Sequence, residues 1–155
     1  MAKGEVRARM VAGAVRLLAE HGPPGASFGD VLEATGASRG STYHHFPGGK
    51  KEMYTAALDL ASDRALTTIE DVRGQPARVV VERFVEMWRT LLTATDLRLG
   101  CAVLAVAVAG EDEQVVDHAG RLTSGRSNSP RGSCWTWLPL SHGWASRRQA
   151  PSAGA

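Results

Sequence analysis

The chain has few of the residues from which metal sites and disulfide frameworks are built. Its two cysteines, Cys101 and Cys134, lie 33 positions apart, and neither belongs to a Cys-x-x-Cys pair or has a histidine at metal-ligand spacing. His44 and His45 are adjacent, so on a helix they point about 100° apart and do not chelate one metal as an i, i+4 pair would. We therefore expect two reduced thiols, no metal site and no cofactor.

Long apolar runs are also absent. The stretch Cys101–Ala109 is only nine residues long, whereas crossing a bilayer takes roughly 20. Charges are scattered among the apolar residues of the N-terminus, which is unlike a secretory signal. The sequence therefore predicts a cytoplasmic protein without a membrane partner.

Motifs of catalysis are scarce as well. The chain has no Gly-rich phosphate loop ending in Lys-Ser/Thr, and no Cys–His arrangement with a convincing local context. The acids at 111–113 are better interpreted as the start of a helix than as a catalytic pair. We expect no enzyme and no catalytic residue.

The charges that are present are unevenly distributed. Residues 1–51 carry seven basic and four acidic side chains, residues 52–120 carry six and twelve, and residues 121–155 carry five arginines and no acid. The segments thus have net charges of +3, −6 and +5. A mildly basic beginning is consistent with a nucleic-acid partner but is weak evidence alone.

Periodicity predicts helices throughout the first half. Apolar residues recur at helical spacing from Val6 to Leu18, and the glycines and prolines of residues 22–25 end that helix. Ser27 is placed to cap a second helix, with Asp30 as capping-box partner. Gly36 ends it, Ser38 opens a third helix over 39–46, and the short glycine-containing turn between these two is typical of a helix-turn-helix. Gly40 destabilises a helix by roughly 1 kcal/mol relative to alanine. Its presence indicates that the bare backbone closely approaches a partner there, for which a DNA phosphate or a base edge is the candidate.

The middle of the chain continues the helical pattern. A fourth helix is predicted from Gly49 to about Ile69, and an amphipathic one over 77–93 whose stripe around Trp88 is more typical of core than of a ligand pocket. The run 101–109 is apolar on every side and fits a buried helix or a buried strand; its alanines and helical neighbours favour the helix. The acids at 111–113 then begin another helix.

Residues 27–50 resemble the DNA-binding signature of TetR family repressors. Two parts of the segment match the family's spacing. Thr35-Gly36-Ala37-Ser38 leads into the third helix, which would be the recognition helix, and Tyr43-His44-His45-Phe46-Pro47-Gly48-Gly49-Lys50 runs from the end of that helix to the start of the next. The resemblance covers about residues 5–60. Around residues 100–103 the chain also resembles, less specifically, the LmrA/YxaF-like branch.

The resemblance implies an all-α protein, with a three-helix DNA-binding domain and a helical domain that binds a small-molecule effector and forms a homodimer on a palindromic operator in double-stranded DNA. The DNA-binding residues it implies are Ser27, Arg39, Gly40, Ser41, Tyr43, His44 and Lys50. Ser27 is interpreted either as a cap alone or as a cap that also binds phosphate. Arg39 is either a solvated surface charge or a DNA contact, and its place in the first turn of the recognition helix favours contact. Phe46 is expected in the core.

These observations divide the chain into three predicted segments: a DNA-binding domain at 1–52, a partial helical regulatory domain at 53–120 and an atypical tail at 121–155. The tail holds three of the four tryptophans and has no sustained helical period. A shifted reading frame, a truncation after about residue 120 and a natural disordered tail all fit this composition. A helical protein-interaction module and a defective truncated regulator are therefore kept as alternative functions.

Overall fold

The computed structural model describes residues 3–124 and leaves the predicted tail, apart from its first four residues, outside the described part. Its helices are α1 Lys3–His21, α2 Phe28–Thr35, α3 Arg39–His45, α4 Gly49–Glu70, α5 Ala77–Ala94, α6 Ala102–Ala109 and α7 Glu113–Thr123. A 3₁₀ turn, Pro23–Gly25, lies between α1 and α2. Residues 3–124 contain no strand, so the all-α prediction is confirmed for them. None of these helices is both long enough and apolar enough to cross a membrane.

Helix ends follow local sequence signals. Gly22 adopts a positive φ of 69° directly after α1, where Pro23 and Pro24 stop the helical hydrogen-bond ladder. Gly36 ends α2 with a φ of 64°, a conformation that side-chain-bearing residues rarely adopt. Asp112 caps α7 by accepting hydrogen bonds from the backbone N–H groups of Gln114 and Val115. The helices predicted at these places are confirmed.

The core joins the first three helices to the later ones. Helix α1 packs against α2, α4 and α6, and α7 packs against α4 and α6. The buried apolar cluster runs continuously from Met10 on α1 through Leu58 on α4 to Val106 on α6 and Val115 on α7. A backbone hydrogen bond of 2.8 Å from the N–H of Gly100 to the carbonyl of Ala19 ties the entrance of α6 to the end of α1. The α6–α7 hairpin thus packs directly against α1 and α4.

Helix α5 departs from expectation. Its stripe was predicted to be core, yet none of its residues is buried; Val81, Phe84 and Val85 are exposed, and Trp88 is only partly covered. That prediction is wrong for the described part of the chain. The reason is tertiary: within residues 3–124, α5 packs mainly against α4, and its contacts with other elements are sparse.

Helix α6 confirms the choice of helix over strand for 101–109, but its burial is one-sided. Ala102, Val103 and Val106 are buried, whereas Leu104 and Val108 are exposed. The helix rests on α1, α4 and α7 with one side only. The expectation of a fully buried segment is therefore wrong for half of its circumference.

Both predicted segment boundaries fall inside helices of the structure. The boundary at residue 52 falls inside α4, which runs without interruption from Gly49 to Glu70. The boundary at residue 121 falls inside α7, which continues to Thr123. The division into domains stays a prediction.

Candidate nucleic-acid interface

Helix α3 has an inner and an outer face. Thr42 and Phe46, one turn apart, are buried at 3% and 0% exposure. Phe46 is therefore core, as predicted. The outer face carries Tyr43, which is 76% exposed. Arg39, Gly40 and His44 are also exposed, and their helical spacing places them beside Tyr43. Ser41 lies in the same helix, between Gly40 and Thr42. Four of the seven predicted contact residues thus share one exposed surface.

A row of aromatic rings positions this helix on α2. The Phe28 ring centroid lies 6.5 Å from that of Tyr43 and 6.5 Å from that of Phe46, in tilted arrangements. Aromatic pairs at such distances favour inclined rings and add to the free energy of burial. Phe28 therefore holds the buried end of α3 while also orienting the exposed Tyr43.

Ser27 forms a complete capping box with Asp30. Its Oγ accepts a hydrogen bond from the backbone N–H of Asp30, while the Asp30 carboxylate accepts from the Ser27 hydroxyl at 2.6 Å and from the Ser27 N–H at 2.7 Å. The hydrogen bond from the Ser27 side chain is the largest cause that lowers the pKa of Asp30 below its usual 3.8. The capping prediction is confirmed. The Ser27 hydroxyl already donates to Asp30, so a phosphate contact requires this proton to change partners.

Lys50 lies within electrostatic reach of Asp30, the capping partner of Ser27. Its Nζ stands 5.0 Å from the ring centroid of Tyr54, in cation–π geometry, and its charge helps to lower the pKa of Asp30. The Tyr54 hydroxyl donates to the carbonyl of Pro23 at 2.9 Å, and the Ala26 carbonyl lies at 3.1 Å. Burial raises the pKa of Tyr54 to about 12, so the ring stays neutral. Tyr54 thus joins the entrance of α4 to the start of α2.

Sequence reasoning missed two residues, Arg7 and Glu52, that contact each other beside the turn between α3 and α4. The guanidinium of Arg7 lies 5.1 Å from the Phe46 ring centroid and 3.7 Å from the Glu52 carboxylate. Glu52 in turn accepts a hydrogen bond from the backbone N–H of Gly48 at 2.9 Å. The one available signal was an acid in the first turn of α4; the contact with Arg7 has no local signature.

Sequence reasoning also overlooked two matches to Gly-x-Ser-x-Gly, at residues 25–29 and 36–40. In hydrolases this pattern places a serine on a sharp turn from a strand into a helix. Here Ser27 follows a 3₁₀ turn, and Ser38 follows the glycine that ends α2. Both serines occupy N-cap positions of helix-turn-helix elements, so their surroundings favour the structural interpretation.

Comparison with known proteins supports a regulator of transcription. Residues 10–57 match the family model described as bacterial regulatory proteins, tetR family. The HTH-type transcriptional repressor AcnR of Corynebacterium glutamicum is 32% identical over 138 residues, which cover 86% of this chain and 71% of that protein. This alignment extends beyond the described residues.

Further relatives match over shorter stretches of the chain. An uncharacterised HTH-type transcriptional regulator of Mycobacterium tuberculosis is 37% identical over 108 residues, which cover 70% of this chain and 55% of that protein. The HTH-type transcriptional regulator LmrA of Bacillus subtilis is 34% identical over 59 residues, 38% of this chain and 31% of that protein. The chain spans about half the length of the mycobacterial relative. No solved structure matches the chain.

Proposed function

The chain belongs to the TetR family of bacterial regulatory proteins, and we propose that it represses transcription by inserting α3 into the major groove of a palindromic operator. The observation that carries this proposal is the exposed face of α3, where Arg39, Gly40, Tyr43 and His44 lie together. A basic and an aromatic side chain on one short, exposed helix are suited to base edges and thymine methyl groups. The similarity to the transcriptional repressor AcnR and the transcriptional regulator LmrA supports this role.

Ser27 and Lys50 are proposed to hold the DNA backbone beside that groove. Both lie at helix entrances, where free backbone N–H groups and the helix dipole favour anions such as phosphate. Lys50 adds a full positive charge at the surface. Phosphate contacts set the register of the protein on the duplex, whereas α3 reads the sequence.

The test is binding of the purified chain to a fluorescent fragment taken from the DNA just upstream of its own gene. We expect log K to fall linearly with log salt, with a slope of about −0.9 for each phosphate neutralised. Arg39→Ala/Lys50→Ala should weaken binding at low salt by about 10- to 100-fold and flatten the slope by about 1 to 2. Arg78→Ala/Arg98→Ala removes the same charge from exposed positions of α5 and the loop after it and should leave both quantities nearly unchanged.

The outcomes separate the proposal from the alternative of a protein-interaction module. An apolar contact through the exposed stripe of α5 would hardly respond to salt, and DNA binding would then be equal in both double variants. Such a result would contradict DNA reading by α3. A chain that fails to fold cooperatively would instead favour a defective product.

The wider assembly is proposed on the same basis. A homodimer would engage two half-sites together, which raises the apparent affinity for a palindrome. Light scattering after size-exclusion chromatography measures the molar mass and so shows whether the chain is a dimer.

A small-molecule effector is proposed for the helical body. An open cleft of about 530 Å³ lies there, lined by Val72 after α4 and by Val79, Val81 and Val85 on α5. Because a bacterial regulator meets its operator on the chromosome, we propose that the protein acts in the cytoplasm.

A further inference from the structure

One carboxylate connects three parts of the DNA-binding half. After α3 ends at His45, the chain turns through residues 46–48 and enters α4 at Gly49. The Glu52 carboxylate accepts from the Gly48 N–H at 2.9 Å with one oxygen and pairs with Arg7 of α1 at 3.7 Å with the other. Glu52 therefore fixes the turn against both α4 and α1.

Arg7 completes the arrangement on the side of α3. Its guanidinium lies over the ring of Phe46, whose own backbone N–H bonds the Thr42 carbonyl at 2.8 Å. The ring is fully buried. Arg7 thus contacts both Phe46, which directly follows α3, and Glu52 in the first turn of α4.

The charge of Glu52 makes this placement informative. Glu52 lies two residues after Lys50, where the proposed function brings a DNA phosphate. A carboxylate near phosphate is repelled, so charge alone predicts that DNA binding would improve without it. A backbone N–H bond and an ion pair give the acid a different role, because both set the geometry of the turn.

We propose that Glu52, held by Arg7, is a positioning residue for DNA binding: it fixes the turn between α3 and α4, so that Tyr43 reaches the groove while Lys50 reaches the backbone. This inference rests on the proposed function. It predicts a loss of operator affinity from removing a negative charge, the opposite sign to the electrostatic expectation.

The experiment compares Glu52→Ala, Glu52→Gln and Arg7→Ala with Glu33→Ala, which removes an acid from an exposed position on α2. Binding is measured on the upstream fragment and on a scrambled fragment over a salt series. We expect Glu52→Ala to lose about tenfold on the upstream fragment and to flatten the salt slope by about 1, as one phosphate contact is lost. On scrambled DNA, which Tyr43 does not read, its loss of affinity should be smaller, because removing the acid also removes a repulsion of phosphate. Glu52→Gln retains an acceptor for Gly48 and should lie between Glu52→Ala and the unaltered chain.

Two results would overturn the inference. If Glu52→Ala tightens binding to both fragments as Glu33→Ala does, Glu52 acts only as a surface charge. If it weakens both equally and lowers the thermal midpoint in proportion, its role is merely structural.

Hydrogen exchange at the Gly48 amide provides a readout that does not require DNA. Exchange should accelerate in Glu52→Ala and stay slow in Glu52→Gln; equal exchange in the two variants would contradict the proposed contact. If the unaltered chain binds no DNA, the proposed function fails, while this amide still reports whether Glu52 holds the turn.

Discussion

We expect single residues on α3 to have separable effects on folding and on the proposed DNA binding, because its two faces have different surroundings. Thr42 is buried and its hydroxyl has no hydrogen-bond partner among the described residues, a cost that folding has to offset. Gly40 is exposed, and a Cβ built on it would meet no atom of residues 3–124 within 4 Å. The glycine therefore answers no packing requirement inside the described part of the chain.

Gly40→Ala should stabilise the protein and weaken its binding to DNA. Alanine in a helix interior is favoured over glycine by up to about 1 kcal/mol, so we expect the free energy of unfolding in urea to rise by about 0.5 to 1 kcal/mol. On the proposed operator the added methyl group would hold the backbone away from DNA, and affinity should fall. Unchanged affinity with raised stability would show that bare backbone is not needed at Gly40.

At the scale of helices, burial depends on neighbours more than on composition. Helices α5 and α6 are both rich in valine, yet Val85 on α5 is 55% exposed and Val106 on α6 is 1% exposed. The difference arises because one side of α6, which carries Val106, packs against α1, α4 and α7, whereas α5 has mainly α4 beside it. The same residue type should therefore have different energetic weight on the two helices.

Val106→Ala and Val85→Ala form a matched pair that measures this difference. Each buried methyl group contributes about 0.8 kcal/mol of hydrophobic stabilisation, and removing two of them also leaves a cavity that costs further stability. Val106→Ala should therefore lower the free energy of unfolding by about 2 kcal/mol. Val85→Ala should change it by less than about 0.5 kcal/mol. Chemical denaturation of both variants gives the comparison, and a large loss in Val85→Ala would mean that α5 is covered in solution.

At the scale of the whole molecule, α1, α2 and α4 share one core with the α6–α7 hairpin. The α6–α7 hairpin lies against α1 and α4, and two polar contacts span α4 and α7: His118 Nε2 stands 2.7 Å from the Asp59 carboxylate, and Lys51 bonds the Gln114 side chain. A change in the body therefore has a direct path to the helices that carry α3. We expect residues 3–124 to unfold as one cooperative unit.

Val115→Ala tests this cooperativity. Val115 on α7 is 2% exposed, and its truncation should lower the hydrogen-exchange protection of the slowest amides in α1 as much as that of those in α7. Protection of α1 that stays unchanged while α7 loses it would indicate two independent domains, as the division at residue 52 predicts.

Much of this protein is determined by local sequence. The ends of α1 and α2, the capping box of Ser27 and Asp30, and the start of α7 all depend on residues within four positions of one another, so their signals are readable along the chain. The signature of residues 27–50 likewise identified the family, which the comparisons confirm. The roles of the individual DNA-binding residues stay predictions.

Tertiary structure alone decided which apolar faces are covered and which distant side chains meet. The stripe of α5 has the periodicity of a core helix, but within residues 3–124 α5 packs mainly against α4 and none of its residues is buried. Periodicity describes a helix without its surroundings. Arg7 and Glu52 are 45 positions apart, and only the packing of α1 on α4 brings their charges within 3.7 Å. Local hydrogen bonds specify helices, whereas burial and long-range ion pairs exist only once those helices have packed.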